Sequence, residues 1–363
     1  MRVLLNALQA GNRSGTGRYT VELMHALADQ QGIDLSVAWP VDVLPDVPRG
    51  YHVLAQTGGP AARILTDQWH LPRIARKGFD LVHYPANVGP VLATAPTVLT
   101  VHDLSFCHHP EWFTRSRAAY YRYAVPASAR RARRIIADSE ATRWDVATLA
   151  GVSADRIDVI PLGVSDHFQP AGEEARAAVR ARYNLPERFF LFVGTLEPRK
   201  NLPRLVTAWS RIADQIPEDL VLAGRWGWRR EELMAARMQS PHRDRIHLTD
   251  FIAFEDLPAV ISCARSFVWP SLFEGFGLPP LEAMACGTPV LTSNTSSLPE
   301  VVGEDALTVD PLSPAEIEQG LKRLSEDDAL CVALSERGKK RAATFTWART
   351  AEETMKTYHR ALG

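Results

Sequence analysis

The feature that most restricts this chain is an alternation: short apolar runs, each followed by a stretch with helical periodicity, repeated along its length. Strands apolar on both faces must be covered on both sides, and strand–helix repetition builds parallel sheets from βαβ units. The first half holds six such runs, Val3–Leu5, Leu35–Ala38, Leu81–Tyr84, Thr97–Val101, Arg134–Ala137 and Asp158–Ile160, the last closed by Pro161. Gly11–Gly17 reads as a turn, and Tyr19–Ala28 as a helix with Val21, Met24 and Leu27 on its apolar side. A polar stretch, Val164–Glu174, carries Pro170 and Gly172 and reads as a linker. A second series of strands follows at Phe189–Val193, Leu220–Ala223, Ile246–Leu248, Ser266–Val268, Pro289–Thr292 and Ala306–Val309, with helices at about 202–214, 256–263, 280–286 and 314–325. A length of 363 residues exceeds what one hydrophobic core usually organises. Two doubly wound α/β domains are therefore expected, with a cleft between them and ligands beyond the carboxyl ends of the strands.

Composition narrows the partners. A formal net charge of −1 with 23% charged residues is that of an ordinary globular protein, so bulk electrostatics supply no case for nucleic acid. Cys107, Cys263, Cys286 and Cys331 lie far apart with no Cys-x-x-Cys pair, which argues against a zinc site or a disulfide framework and fits a reducing cytoplasm. Only five residues precede Asn6, and no stretch reaches membrane-spanning length, so a soluble protein without a signal segment is expected.

The most informative segment is Pro270–Gly287, PSLFEGFGLPPLEAMACG. Glu274 sits in a Gly-rich loop, Pro279 and Pro280 suit the first turn of a helix, Glu282 is expected inside that turn, and Gly287 suits its C-terminal cap. A helix start approached by Gly275 and Gly277 can hold a phosphate on free N–H groups, whereas carboxylates would repel one. Glu274 and Glu282 are therefore expected to accept hydrogen bonds from sugar and ribose hydroxyls. The plainer alternative leaves Glu282 complementing the helix dipole and Glu274 solvated.

This segment resembles the Glu-x7-Glu signature of the group 1 glycosyltransferases (family 4), retaining enzymes of the GT-B fold. Phe192–Leu202 (FVGTLEPRKNL) resembles the family's strand and phosphate-binding loop, Val290–Val302 its next strand and turn, and Phe345–Leu362 its closing helix. The resemblance implies an acceptor-binding Rossmann-like domain over residues 1–168 and a nucleotide-sugar-binding one over 169–345. It also implies a final helix, 346–363, containing Trp347, Tyr358 and His359, that crosses back to the first domain.

Arg199 and Lys200 follow the Gly194 turn, where cations would neutralise charge on a departing diphosphate as a divalent metal does elsewhere. No metal or other cofactor is then expected. Seen alone, the two could equally be a solvated lead-in to a helix. The family often has arginine directly after the glycine; here Thr195 stands there, leaving Arg199 or Arg225 for that role. Gly277 and Leu278 would offer backbone N–H groups, and Phe251, Ile252 and Phe276 complete the candidate donor-binding set. In the first half, Gly15, Thr16 and Gly17 lie between the first strand and the first helix, either as a plain tight turn or as the family's glycine-rich loop against a donor phosphate. The sequence fails the dinucleotide fingerprint, which requires glycine at Thr20.

His102 and Asp103 end a strand, at the edge where an α/β site lies. The resemblance implies that His102 faces the donor sugar through its ring or backbone carbonyl; a metal set of His102, Asp103, His108 and His109 lacks helical i, i+4 pairing. Seven arginines from Arg115 to Arg134 are interleaved with Tyr120, Tyr121 and Tyr123, which suits either a peripheral contact with an anionic membrane or a solvated helix face.

The expected activity is retaining transfer of a hexose, first mannose from GDP-mannose and next a UDP-sugar, to a glycan or lipid-linked glycan in cell-envelope polysaccharide synthesis. The motif block looks most like bacterial mannosyltransferases. A nucleotide-sugar epimerase of the same fold and a non-catalytic nucleotide-sugar-binding protein are the alternatives.

Overall fold

Runs such as FFLFV at Phe189–Val193 are apolar on both faces, and the computed structural model shows them as buried parallel strands flanked by helices. It describes residues 1–12, 15–41, 44, 65–76, 78–91 and 95–363, and the backbone of 52–56. The chain forms two compact units, Met1–Gly163 with Phe345–Gly363, and Val164–Thr344.

The first unit holds β1 (Arg2–Asn6), β2 (Asp34–Pro40), β3 (His52–Gln56), β4 (Leu81–Tyr84), β5 (Thr97–Val101), β6 (Arg134–Ala137) and β7 (Ile157–Val159), in the order β3-β2-β1-β4-β5-β6-β7. The pairs are parallel, with Leu4 beside Ser36 on one side and Val82 on the other. β1 is the point where the order reverses, so ligands are expected beyond its carboxyl end. Six of these strands are those expected. β3 is additional: it is short, lies at the sheet edge against β2 and has polar ends, so it carries little periodic signal.

The closing helix Trp347–Leu362 belongs to this unit. Trp347, Thr350, Ala351, Thr354, Met355, Tyr358 and Ala361 are buried at helical spacing, while Glu352, Glu353 and Lys356 pair on the outer face. Thr346 caps it by accepting from the Arg349 N–H at 3.2 Å.

The second unit contains β8 (Phe189–Val193), β9 (Asp219–Ala223), β10 (Ile246–Thr249), β11 (Ser266–Trp269), β12 (Val290–Ser293) and β13 (Leu307–Val309), in the order β10-β9-β8-β11-β12-β13. β8 is its reversal point, with Leu191 beside Phe267 of β11 and Val221 of β9.

Three expectations need correction. The break between units falls after Gly163 rather than after 168, because His167 stacks on Phe254 at 4.6 Å and donates from Nε2 to its carbonyl at 2.9 Å, while Phe168 is buried. The stretch read as a linker is thus packed, with Ala171 N–H on Ser262 Oγ at 3.1 Å and a helix starting at Glu173. Helices Glu173–Tyr183 and Arg230–Gln239 were not anticipated because each buries a single apolar side chain, Val179 and Leu233, and so shows almost no periodicity. Among the described residues no helix is long and apolar enough to cross a membrane.

Candidate active site

In the second unit the loops leaving β8 and β11, at the reversal of strand order, are drawn together. Trp269, the last residue of β11, stacks on Phe192 at 4.8 Å and lies 3.0 Å from where a Cβ on Gly194 would sit. Glycine at 194 therefore lets the β8 loop pass over the indole. Gly224, with φ 136°, is held to the same requirement, since a Cβ there would meet the Gly194 carbonyl at 2.0 Å.

Across these loops sits a buried ionic cluster. Lys200 Nζ donates to Glu274 Oε1 at 2.5 Å, Trp269 Nε1 donates to the same oxygen at 3.1 Å, and Arg199 Nη1 donates to Oε2 at 2.7 Å. Arg199 also reaches Glu197 at 3.0 Å, and the Lys200 ammonium lies 4.2 Å from the centre of the Trp269 ring. Burial alone would raise the Glu274 carboxyl, but Arg199 and Lys200 overcome it and hold it below the ordinary glutamate range. Burial, then repulsion from Arg199, pushes the Lys200 ammonium down. Both oxygens of Glu274 are thus engaged by cations and an indole N–H.

The backbone around this cluster is pinned by residues that sequence reasoning missed. Asn201 adopts φ 61° and donates from its amide to the carbonyls of Pro270 at 3.0 Å and Pro311 at 2.7 Å. Ser296 adopts φ 52° and accepts the Glu274 N–H at 2.9 Å, while Ser297 donates to the carbonyls of Glu274 and Phe276 at 2.9 and 2.8 Å. Left-handed non-glycine residues persist where surrounding contacts over-determine them. Ser296 and Ser297 stand in the segment compared with the family's next strand and turn, and Asn201 directly follows the cations, so position along the sequence was the available signal.

The helix here is Leu278–Ala285, with Gly277 at its N-cap (φ 117°) and Gly287 beyond its end (φ 73°). It starts two residues earlier than expected, which moves Glu282 into the second turn, where it is buried. As the first helical residue, Leu278 has an N–H without an intrahelical acceptor. A Cβ at Gly277 would stand 2.8 Å from Leu298, so glycine serves both the turn and the packing. Phe276 and Ile252 are buried and Thr195 is exposed. Arg225 lies over the half-exposed Phe251 ring at 4.8 Å, so Arg199 is the arginine brought to Lys200 and Glu274.

In the first unit, His102 stands just past β5. Its Nδ1 lies 2.6 Å from Asp138 Oδ2 and its Nε2 3.0 Å from the Pro85 carbonyl, so both ring nitrogens face oxygen acceptors within the unit. A carbonyl cannot donate, and this arrangement suits the imidazolium. Burial lowers the His102 pKa, but Asp138 and the Pro85 carbonyl more than reverse this and leave it raised. The backbone is engaged too: its N–H donates to Asn87 Oδ1 at 2.7 Å and its carbonyl accepts from Thr142 Oγ1 at 3.1 Å. Asp138, at the end of β6, was not among the expected residues. The tyrosine Tyr19 meets the His102 ring edge-on at 4.8 Å. The metal set is not assembled: Asp103 caps Ser105, His108 pairs with Asp145 at 2.8 Å and His109 with Glu111 at 3.0 Å. Among the described residues no group of three or more such ligands converges.

The glycine segment differs from the expected turn. Residues 13 and 14 lie outside the described residues, and Gly15, Thr16 and Gly17 form the first turn of a helix, Gly15–Ala28. A Cβ on Gly17 would overlap the Asn12 carbonyl at 1.7 Å, whereas one on Gly15 meets nothing within 4 Å. Close backbone approach thus accounts for Gly17 alone.

These two sheets, with the cluster at the strand-order reversal of the second, define a two-domain Rossmann-like transferase architecture. Comparison with known proteins agrees. Residues 176–341 match the family model for glycosyl transferases group 1, and residues 13–168 that for glycosyltransferase family 4. The O-antigen chain mannosyltransferase B of Escherichia coli is 30% identical over 95% of this chain and 96% of its own. An MMP alpha-(1->4)-mannosyltransferase of Mycolicibacterium hassiacum is 29% identical over 83% of this chain and 74% of its own. Among solved structures, that of Anabaena Alr3699/HepE in complex with UDP and glucose has a TM-score of 0.79 at 20% identity, covering 98% of this chain and 99% of that one. The chain belongs to the group 1 (family 4) glycosyltransferases of the GT-B fold, and it is a glycosyltransferase.

Proposed function

We propose that this glycosyltransferase moves mannose from GDP-mannose to a glycan or lipid-linked glycan during assembly of a cell-envelope polysaccharide. The sugar and the setting are supported by the names of the relatives, an O-antigen chain mannosyltransferase and a second mannosyltransferase. The observation that carries the transfer chemistry is the buried Arg199–Glu274–Lys200 cluster at the carboxyl ends of β8 and β11. A diphosphate arriving there would exchange with Glu274 for the two cations and meet the N–H groups of Gly277 and Leu278 at the helix start. The freed carboxylate could then accept hydroxyls of the sugar, and Glu282 those of ribose. Charge on the leaving diphosphate is balanced by these side chains and amides, so no metal is assigned to the step.

Transfer with retention is assigned to the front face: the acceptor oxygen bonds to the anomeric carbon as the carbon–oxygen bond to phosphate breaks, and the acceptor proton passes to the departing phosphate. A peripheral position on the inner face of a membrane is part of the same reading, with Arg115, Arg117, Arg122 and Tyr123 exposed along the helix Arg115–Arg131.

A thermal-shift panel of GDP-mannose, UDP-glucose and an ADP-sugar, followed by transfer assays with and without glycan acceptors, tests the reading. GDP-mannose should give the largest shift, and consumption should require acceptor. Donor turnover without acceptor would instead identify an epimerase. Lys200→Ala and Glu274→Ala should each lower turnover at least about tenfold, the scale of losing a charge-stabilising contact; wild-type turnover in both would remove the cluster from the chemistry.

A further inference from the structure

The amino-terminal end of the first sheet carries a cavity that plays no part in the site described above. Its volume is about 620 Å3, and among the described residues its charged lining is Arg131, Arg133, Arg134, Arg156 and Arg360, with no carboxylate. Thr97 opens β5 and Arg134 opens β6. The cavity therefore lies at the opposite end of these strands from His102, about 17 Å away along β5 at about 3.3 Å per residue.

Five guanidinium groups around one hollow repel one another unless counter-charge is supplied. The supply within the unit is small. Asp158 serves both Arg134, at 2.6 and 3.2 Å, and Arg360, at 3.1 Å. Arg156 donates to the backbone carbonyls of Arg130, at 3.1 Å, and Ala132, and the exposed Asp155 carboxylate is the further charge near Arg134 and Arg156. Arg131 and Arg133 are exposed, and their side chains have no ion pair or hydrogen bond among the described residues. Their backbone is nonetheless held: the helix Arg115–Arg131 ends there, Ala132 is buried between them, and the Arg133 N–H donates to the Thr97 carbonyl at 2.8 Å. Two unpaired planar forks on a fixed backbone, backed by three oriented guanidiniums, suit the bidentate recognition of phosphate oxygens.

The geometry points to a second anion site on the first unit, remote from the transfer chemistry, that takes a phosphate-bearing group. The same chemistry could come from a free phosphate compound or from a phospholipid headgroup. The full chain is titrated calorimetrically with pyrophosphate and floated with phosphatidylglycerol or phosphatidylcholine vesicles, as wild type, as Arg131→Ala/Arg133→Ala and as Lys200→Ala. Saturable pyrophosphate binding that weakens at least tenfold in the arginine variant and persists in Lys200→Ala identifies a soluble phosphate ligand. Absence of such binding, with flotation on phosphatidylglycerol alone that falls at least tenfold in the arginine variant, identifies a headgroup. Binding that survives the arginine substitutions but vanishes in Lys200→Ala, or no response to either probe, overturns the site. Circular dichroism checks that the variant is folded, and Arg133→Ala alone carries the same test if it is not.

Discussion

At the scale of single residues, the ionic cluster shows a pairing of Glu274 that spacing alone did not reveal. A carboxylate in a glycine-rich loop reads as solvated or ligand-facing until the loop after β8 is brought against it; burial then leaves it the counter-charge of Lys200. Removing one partner of such a buried pair strands the other, so Glu274→Gln should destabilise the protein by about 3 to 5 kcal/mol near neutral pH. The sign of the pH dependence follows from the lowered carboxyl. Its stabilising contribution is fully present above the ordinary glutamate value of about 4.5 and is lost as pH falls through the lower folded value. The gap in denaturant stability between wild type and variant should therefore narrow as pH drops below that range; a gap that stayed constant would show the pair to be unimportant. The glycines divide in the same physical way. Gly15→Ala should be neutral or stabilise by about 0.4 to 1 kcal/mol by restricting the unfolded chain, while Gly17→Ala should destabilise by more than about 1 kcal/mol because its Cβ meets the Asn12 carbonyl. Paired denaturation curves separate the two.

At the scale of elements, the closing helix is tied to the first sheet by a buried polar chain. Tyr358 OH lies 2.7 Å from His83 Nδ1, His83 Nε2 lies 2.8 Å from Thr100 Oγ1, and Thr100 meets Tyr19 OH at 3.0 Å. His83 is fully buried, and burial together with the charge of His102 holds its pKa down to about 3, so it is neutral through the usual working range. One hydroxyl here joins the helix Trp347–Leu362 to β4. Tyr358→Phe keeps the ring but leaves Nδ1 without its partner, and should cost about 1 to 3 kcal/mol of stability by thermal or chemical unfolding. The amphipathic spacing of this helix was legible in the sequence; its tether was not, because His83 and Tyr358 are separated by 275 residues. The same contrast explains the elements. Strands with both faces apolar were legible within a residue or two, whereas β3 and the helices Glu173–Tyr183 and Arg230–Gln239 were not, because an edge position or one apolar anchor leaves no periodic pattern.

At the scale of the whole molecule, the first unit is completed only by the far end of the chain. Truncation after Thr344 would uncover the surface against which Trp347, Met355 and Tyr358 are buried. At about 1.5 to 3 kcal/mol for each large apolar side chain, with its smaller neighbours, the loss is on the order of 10 kcal/mol, similar to the margin of a domain. The truncated chain should keep the unfolding transition of Val164–Thr344 and lose that of the first unit, which calorimetry can resolve; two retained transitions would show the helix to be dispensable. The sequence by itself determined the alternation of strands and helices, the two sheets, and the loops that carry Lys200 and Glu274, because hydrophobic period, proline and glycine act over a few residues. Tertiary structure alone decided which of those loops meet. β8 neighbours β11 rather than β10, and so residues 74 apart share a hydrogen bond; that choice rests on strand pairing and burial across the sheet, which no local pattern encodes.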